Sequence, residues 1–273
     1  MKKIYLLAAT ALLFACSSDD DSVLNDSTVE ATQVTLTFSP YDMEPITRAA
    51  VSEFATHLDV WLYESGAEAA AVHQSSGDAG FGSVSVTLNK TKTYTLYAVA
   101  HRCADDATLA DGVISFPDDK VTHSFYYTTT FTPSEVSNLA CAMQRIVAQF
   151  RLEITDDIPD DVAKMQFTIA SVYDRWNVST GGTHQLDRTS SISYGGTSSI
   201  FNVYAIVTDV STTHDITVVA LDENDQTVQS RLFSAVPLRN GYKTTYQGTF
   251  FVDSPLSMTF TASDWNAYDT VEF

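Results

Sequence analysis

The chain has 273 residues, of which 15 are Lys or Arg and 34 are Asp or Glu, giving a formal net charge of −19. This balance argues against nucleic acid as a partner, because phosphate binding needs clustered basic side chains, and against a polybasic membrane-surface protein. Of the acidic residues, 25 are Asp and 9 are Glu. Because Asp favours turns over helices, the composition predicts many short strands joined by tight turns.

The amino-terminal segment predicts export from the cytoplasm. Two lysines precede an apolar run at residues 4–14, which is too short to span a bilayer but has the length of a signal-peptide core. The run leads to Cys16, and a Cys at this position resembles the lipoprotein box of bacteria. The resemblance implies that residues 1–15 are a removed signal peptide and that Cys16 is lipidated, anchoring the chain in the outer membrane. The alternative is an ordinary secreted protein.

A polar segment follows the lipidation site. Residues 16–32 are acidic and poor in apolar side chains, so they predict a flexible tether that buries nothing. The Ser-Asp-Asp-Asp run at residues 18–21 resembles the surface-export signal of Bacteroidales lipoproteins. The alternative interpretation of this run is a plain linker, and both interpretations place the protein in the cell envelope.

Alternation of apolar and polar residues recurs along the rest of the chain and predicts strands. It occurs at residues 34–38, 58–63, 84–88, 93–99, 146–154, 165–169, 200–207, 216–221, 228–233, 244–252, 257–260 and 270–273. Residues 179–199 form a polar, Gly-rich stretch, and no long helical pattern is present. The structured part exceeds one sandwich of about 100 residues, so two tandem β-sandwiches are predicted, at residues 33–143 and 144–273.

No group of residues in the sequence predicts catalysis, a cofactor or a metal site. The six histidines are scattered, and none has a second His at a spacing that places both on one face of a strand or helix. No Gly-x-Ser-x-Gly motif is present, and adjacent Asp pairs such as Asp105-Asp106 are predicted to be exposed turn formers. Cys103 and Cys141 either form a disulfide or remain buried free thiols. Trp61 is interpreted as a core residue rather than a sugar-stacking one.

Several segments in a fixed order carry a resemblance to a known family. After the Cys16 box and the acidic tether, the chain contains Val-Thr-Leu-Thr-Phe at 34–38, Ile-Thr-Arg-Ala at 46–49, His-Leu-Asp-Val-Trp-Leu-Tyr-Glu-Ser-Gly at 57–66, Gln-Arg-Ile-Val-Ala-Gln-Phe at 144–150, Val-Pro-Leu-Arg-Asn-Gly-Tyr-Lys-Thr-Thr-Tyr-Gln-Gly-Thr-Phe-Phe at 236–251 and Asp-Trp at 264–265. This order resembles the fimbrillin superfamily of Bacteroidales, which comprises type V fimbrial subunits and their anchor lipoproteins. The resemblance covers nearly the whole chain.

The resemblance implies fold, function and partners. It implies two transthyretin-like β-sandwiches and a structural protein of surface fimbriae, not an enzyme, that contacts other fimbrial subunits by β-strand complementation and an adhesion ligand on host or bacterial surfaces. In stalk subunits of this family an Arg-specific protease removes the first strand, and Arg48 is the corresponding cleavage position here. An anchor or accessory subunit is the favoured role; the alternatives are a cleaved stalk subunit and a surface glycan-binding lipoprotein beside an outer-membrane importer.

Overall fold

The computed structural model describes residues 30–40, 51–252 and 258–264. Apart from short 3₁₀ turns at Val51–Glu53 and Pro117–Asp119, the regular structure in these ranges is β-strand, which confirms the all-β prediction. The strands are β1 (Ala31–Pro40), β2 (His57–Glu64), β3 (Ala67–Ser75), β4 (Ser83–Asn89), β5 (Tyr94–His101), β6 (Thr108–Ala110), β7 (Val113–Ser115), β8 (Phe125–Phe131), β9 (Asn138–Arg145), β10 (Ala148–Ile154), β11 (Lys164–Asn177), β12 (Gly181–Ser193), β13 (Ile200–Ala205), β14 (Thr212–Leu221), β15 (Thr227–Leu238), β16 (Tyr242–Gly248) and β17 (Met258–Asp264). In the described ranges, no helix has the length and apolar character needed to cross a bilayer.

The strands form three hydrogen-bonded sheets. A seven-stranded sheet has the order β3-β2-β5-β8-β9-β1-β4, a four-stranded sheet has the order β13-β10-β16-β17, and a third sheet has the order β15-β14-β11-β7-β6 with β12 beside β11. In the seven-stranded sheet, β8 and β9 share only the pairs Phe125–Arg145 and Tyr126–Gln144. This short connection lets the two parts of that sheet face each other across one hydrophobic core.

The two halves of the chain repeat one pattern of strand pairing. β1 lies between an antiparallel neighbour, β4, and a parallel neighbour, β9. In the same way, β10 lies between antiparallel β13 and parallel β16. The facing strands also correspond, with the order β3-β2-β5-β8 in the first half and β12-β11-β14-β15 in the second. The first half additionally contains the β6–β7 hairpin, and the second half additionally contains β17.

Each half buries its own hydrophobic core. In the first, alternate side chains of β1, β2, β4 and β5 point inward, and Leu36, Leu58 and Leu96 are fully buried. In the second, β10, β11 and β14 contribute in the same manner, and Phe150 and Phe167 are nearly inaccessible. Burying a side chain of this size stabilises a fold by about 1.5–3 kcal/mol, so the two cores make a large hydrophobic contribution to the free energy of folding.

A third buried cluster joins the two halves. It lies on the outer face of β2, β5 and β8 and contains Trp61, Tyr126, Ile114 and Trp176. The β6–β7 hairpin belongs by sequence to the first half, yet β7 pairs with β11 of the second half. Trp61 is only 3% exposed, which confirms its interpretation as a core residue.

Alternation identified many of the strands that have one buried face, but it missed β8 and β9, which also bury side chains, as well as strands that are largely exposed. The predicted strand at 146–154 begins at Ala148. β16 and β17 overlap the predictions at 244–252 and 257–260, but β16 ends at Gly248 and β17 continues to Asp264. The stretch at 179–199 is largely the strand β12, which the sequence analysis left unassigned because most of its side chains are partly or fully exposed. β3 was missed for the same reason. The predicted strand at 270–273 lies outside the described residues.

Gly182 shows why a Gly-rich segment can still be a strand. A Cβ atom at this position would lie 2.6 Å from the Tyr173 ring of the paired strand β11. That separation is shorter than van der Waals contact, so only glycine lets β12 pass over the ring. The glycine therefore marks a close approach between strands rather than a loop.

Candidate functional site: the first strand and the sheet edges

The first strand is an integral part of the first core. β1 pairs antiparallel with β4 from Ala31 to Thr37 and parallel with β9 from Thr35 to Pro40. The alternation of the sequence places Val34, Leu36 and Phe38 in the core, with exposures of 0%, 0% and 3%. The threonines between them face outward, and Thr37 is exposed. β1 is therefore held by main-chain hydrogen bonds to the strands on both sides and by the burial of three of its own apolar side chains.

The position of β1 defines a slot that only an extended segment can fill. Its backbone hydrogen bonds include Thr35 N–H to the carbonyl of Ser137, at 3.0 Å, and Phe38 N–H to the carbonyl of Gly82, at 2.9 Å. Without β1, the neighbouring strands β4 and β9 would each lose a hydrogen-bonding partner, and the core beneath would be open. Such a slot has the features of a strand-complementation site: unpaired main-chain groups for affinity and alternating pockets for side chains.

The two halves differ at one sheet edge, which is the side of β9 that faces away from β1 and the corresponding side of β16. β17 pairs antiparallel with β16 over seven residue pairs, from Tyr242–Asp264 to Gly248–Met258. By the internal repeat, β16 corresponds to β9. Beside β9, in contrast, no strand of the described residues pairs with residues 138–143 on the side away from β1. Among the residues that the structure describes, the second half therefore covers this edge with its own strand, whereas the first half does not.

A carboxylate fixes the backbone that follows β16. Asp156 accepts hydrogen bonds from the N–H groups of Phe250 and Phe251, both at 2.7 Å, and of Val252, at 3.0 Å. Burial alone would raise the pKa of the Asp156 carboxyl, but the three N–H donors outweigh burial and lower this pKa below its ordinary value of 3.8. Adjacent Asp pairs are predicted to be exposed turn formers, and this prediction is wrong for Asp156. Its side chain is half-buried and forms hydrogen bonds with a segment that is distant in the sequence.

Replacing Asp156 by Ala is expected to lower the free energy of unfolding by about 1.5–3 kcal/mol at neutral pH, because three backbone donors lose a charged acceptor. Since the folded-state pKa is lowered, this contribution is present above the unfolded-state pKa and disappears as the pH falls through the folded-state pKa. Urea unfolding at pH 7 and at pH 3 measures both effects. The exposed neighbour variant Asp157→Ala serves as the control and should change stability by less than about 0.5 kcal/mol. Equal losses in the two variants would contradict the assignment.

The structure places the two cysteines of the predicted disulfide in different clusters. Cys103 and Cys141 are both free and buried, the former in the cluster that joins the halves and the latter in the first core. Burial raises the pKa of the Cys141 thiol to about 12. Cys16 and Arg48, the predicted lipidation and cleavage positions, lie outside the described residues.

The histidines are brought together in a way that spacing along the chain could not reveal. His57, His73 and His101 lie on the adjacent strands β2, β3 and β5, and the rings of His57 and His101 stack at 5.4 Å. Cross-strand register, not spacing within one strand, creates this grouping. A further histidine, His123, is buried beside Arg145, and burial followed by the Arg145 charge lowers its pKa well below the ordinary value.

The fold is shared with solved structures of Bacteroides proteins. A candidate cell adhesion protein from Bacteroides ovatus ATCC 8483 superposes with a TM-score of 0.53 at 14% identity, over 86% of this chain and 98% of that one. One from Bacteroides uniformis ATCC 8492 gives 0.52 at 13% identity, over 86% and 99% of the two chains. A candidate polysaccharide-binding protein from Bacteroides thetaiotaomicron VPI-5482 gives 0.55 at 11% identity, over 85% and 96%.

At these identities the likeness establishes the fold alone. No protein-family model matches the sequence, and no curated protein matches it at a significant level. The likeness therefore shows that this chain shares its fold with Bacteroides proteins described as cell adhesion or polysaccharide-binding proteins.

Proposed function

We propose that this chain is a structural lipoprotein of cell-surface fimbriae that acts as an anchor or accessory subunit. Its lipid would be carried on Cys16, after removal of residues 1–15, and residues 16–32 would be the tether between the outer membrane and the folded part. The fimbrillin-like fold and the lipoprotein box in the sequence support this proposal together. No catalytic role is proposed, and the partners are other fimbrial subunits.

We further propose that the folded part consists of two tandem transthyretin-like sandwiches, at residues 33–143 and 144–273. The repeated pairing of β1 and β10 with one antiparallel and one parallel neighbour supports this division. So does the separation of the two cores. β9 ends at Arg145 and pairs with β1, which supports a boundary near the transition from β9 to β10.

The pairing of β17 with β16 is the observation that favours an anchor over a stalk subunit. A strand that a subunit donates to its neighbour must be free of its own sheet, whereas β17 is hydrogen-bonded to β16 along its whole length. β1 occupies its own slot, as it would in any chain that has not been cleaved, so this pairing favours neither role. We propose that the chain keeps β17 for itself and that a neighbouring subunit adds a strand beside β9, on the side where no described strand pairs with residues 138–143.

The stalk role remains the competing proposal within the same family. It requires cleavage after Arg48, loss of β1 and insertion of a neighbour's strand between β4 and β9. The two roles differ in the covalent state of the amino terminus. The mass of the amino-terminal peptide of the protein isolated from its own cell envelope therefore distinguishes them: an anchor has lipid on Cys16 and an unbroken chain through Arg48.

A second candidate function, glycan binding, is favoured by one cavity between the two halves. The cavity has a volume of about 520 Å³ and is lined by Arg102 and Thr122 from the first half and by Tyr194, Asn202 and Tyr204 from the second. Aromatic rings with a few polar groups suit a small saccharide, and junctions of this kind are frequent ligand sites. Binding of soluble glycans that is lost in Tyr204→Ala and Asn202→Ala would favour this candidate over the fimbrial one.

A further inference from the structure

A fully buried carboxylate lies on the outer face of the first half. Asp59 on β2 has 0% exposure, although its alternating position in the strand is that of an outward-facing residue. It is covered because the segment after β5 folds back over this face, and the N–H of Ala107 donates a hydrogen bond to Oδ2 of Asp59 at 3.0 Å. A buried carboxylate needs charged or hydrogen-bonding partners to offset its loss of hydration.

The partners of Asp59 hold its two oxygens in different environments. Oδ2 also accepts a hydrogen bond from Nε2 of His101 at 2.8 Å, and Nδ1 of His101 accepts one from the N–H of Cys103 at 3.1 Å, which places the ring proton on Nε2. Oδ2 is thus saturated by fixed donors. Oδ1 instead faces Nδ1 of His73, at 2.6 Å, on the paired strand β3.

A second carboxylate approaches the same point. A side-chain oxygen of Asp106 lies within 4.8 Å of both the Asp59 oxygen and the His73 nitrogen. Asp106 and His73 are exposed, so solvent and ions reach the group from outside. Two carboxylates at this separation repel each other, and that of Asp59 is out of contact with water. The net charge of the whole chain is −19, which adds to the unfavourable negative potential. A cation between them removes that repulsion.

We propose that Asp59, His73 and Asp106 bind one divalent metal ion of the zinc class. One imidazole and two carboxylates with an open outer side are a donor set that suits Zn²⁺ with water in the fourth position, whereas Ca²⁺ takes six to eight oxygens. The donors from His101 and Ala107 to Oδ2 orient the Asp59 ligand, as outer hydrogen bonds do in metal sites. On binding, the metal takes the place of the proton between Nδ1 of His73 and Oδ1 of Asp59, and the neutral imidazole then carries its proton on Nε2.

The ion would connect three segments of the chain. Asp59 and His73 belong to the β2–β3 hairpin, and Asp106 belongs to the segment that leads from β5 into the β6–β7 hairpin. Because β7 pairs with β11 of the second half, a metal at this point would stabilise the connection between the halves as well as the first sandwich. The spacing of residues within single strands predicts no metal site here, because these ligands come from three separate segments of the chain. The proposal does not depend on the fimbrial role.

Titration calorimetry of the untagged chain, stripped of metal with EDTA, tests the proposal with ZnCl₂ as the probe. We expect one Zn²⁺ per chain and a higher midpoint of thermal unfolding with Zn²⁺, since a ligand that binds only the folded state stabilises it. CaCl₂ and MgCl₂ should have neither effect. His73→Gln and Asp106→Asn should each weaken Zn²⁺ binding at least about tenfold and remove the thermal shift.

Two controls match these variants. Asp105→Asn makes the same change in charge at the neighbouring exposed residue, and His184→Gln removes the other exposed His that contacts a buried Asp, Asp174, at 2.8 Å. Both should bind Zn²⁺ as the unmodified chain does. Thermal unfolding without metal shows whether each variant is folded. No Zn²⁺ binding by the unmodified chain, binding unchanged in His73→Gln and Asp106→Asn, or equal weakening by Asp105→Asn would each overturn the proposal.

Discussion

Replacing Leu36 by Ala is expected to lower the free energy of unfolding by about 2–5 kcal/mol. Leu36 is fully buried at the centre of β1, with Val34 and Phe38 beside it on the same face. Removing its side chain leaves a cavity in the first core, directly beneath the strand whose retention distinguishes an anchor from a cleaved subunit. Urea unfolding followed by circular dichroism measures the change.

Thr37→Ala is the matched control, because Thr37 belongs to the same strand and is exposed on its other face. Its effect should stay within about 0.5 kcal/mol. If Leu36→Ala were as stable as Thr37→Ala, β1 would not be part of the first core, and the slot between β4 and β9 would have no structural importance.

Replacing Trp61 by Ala is expected to lower the free energy of unfolding by about 3–5 kcal/mol. We also expect the two halves of the variant to unfold in separate transitions. Trp61 lies in the cluster between them, where the Tyr126 hydroxyl also donates a hydrogen bond to the carbonyl of Val178, at 3.1 Å. Each half has its own core, so weakening the shared cluster reduces their coupling more than it disturbs the second half. Scanning calorimetry should resolve two transitions in the variant.

Tyr63→Ala provides the control for this prediction. Tyr63 follows Trp61 on the same face of β2 but is only partly buried, and its ring packs against Tyr97 at 5.7 Å. Its loss should lower stability less and leave the unfolding profile unchanged. A single, equally shifted transition in both variants would mean that the two halves unfold as one unit without relying on the cluster around Trp61.

Many strands with one buried face could be predicted from the sequence, because their apolar residues alternate, although β8 and β9 were not predicted. Residues 34–38 and 84–88 show this pattern, and the structure pairs them as β1 and β4. β12 and β3 escaped prediction because they are edge strands with little buried surface, and so their composition is polar or small rather than alternating. Alternation reports burial of a face, not hydrogen bonding in a ladder.

Much of the candidate site could not be predicted from the sequence, for a different physical reason. Alternation correctly places Asp59 opposite the core residues Leu58 and Val60, but that face is buried too, since the segment after β5 covers it. The pairing of β17 with β16 is likewise a contact between elements. Cys16 and Arg48 followed from the family resemblance and not from any pattern of alternation.

We propose that this chain is a lipid-anchored subunit that retains its first strand. The most direct test is mass spectrometry of the amino-terminal peptide of the protein isolated from the outer membrane of its own cells. The account predicts a lipid-modified peptide that begins at Cys16 and continues without a break through Arg48. A chain that begins at Ala49 and forms detergent-resistant ladders would contradict the account and identify a polymerising stalk subunit instead.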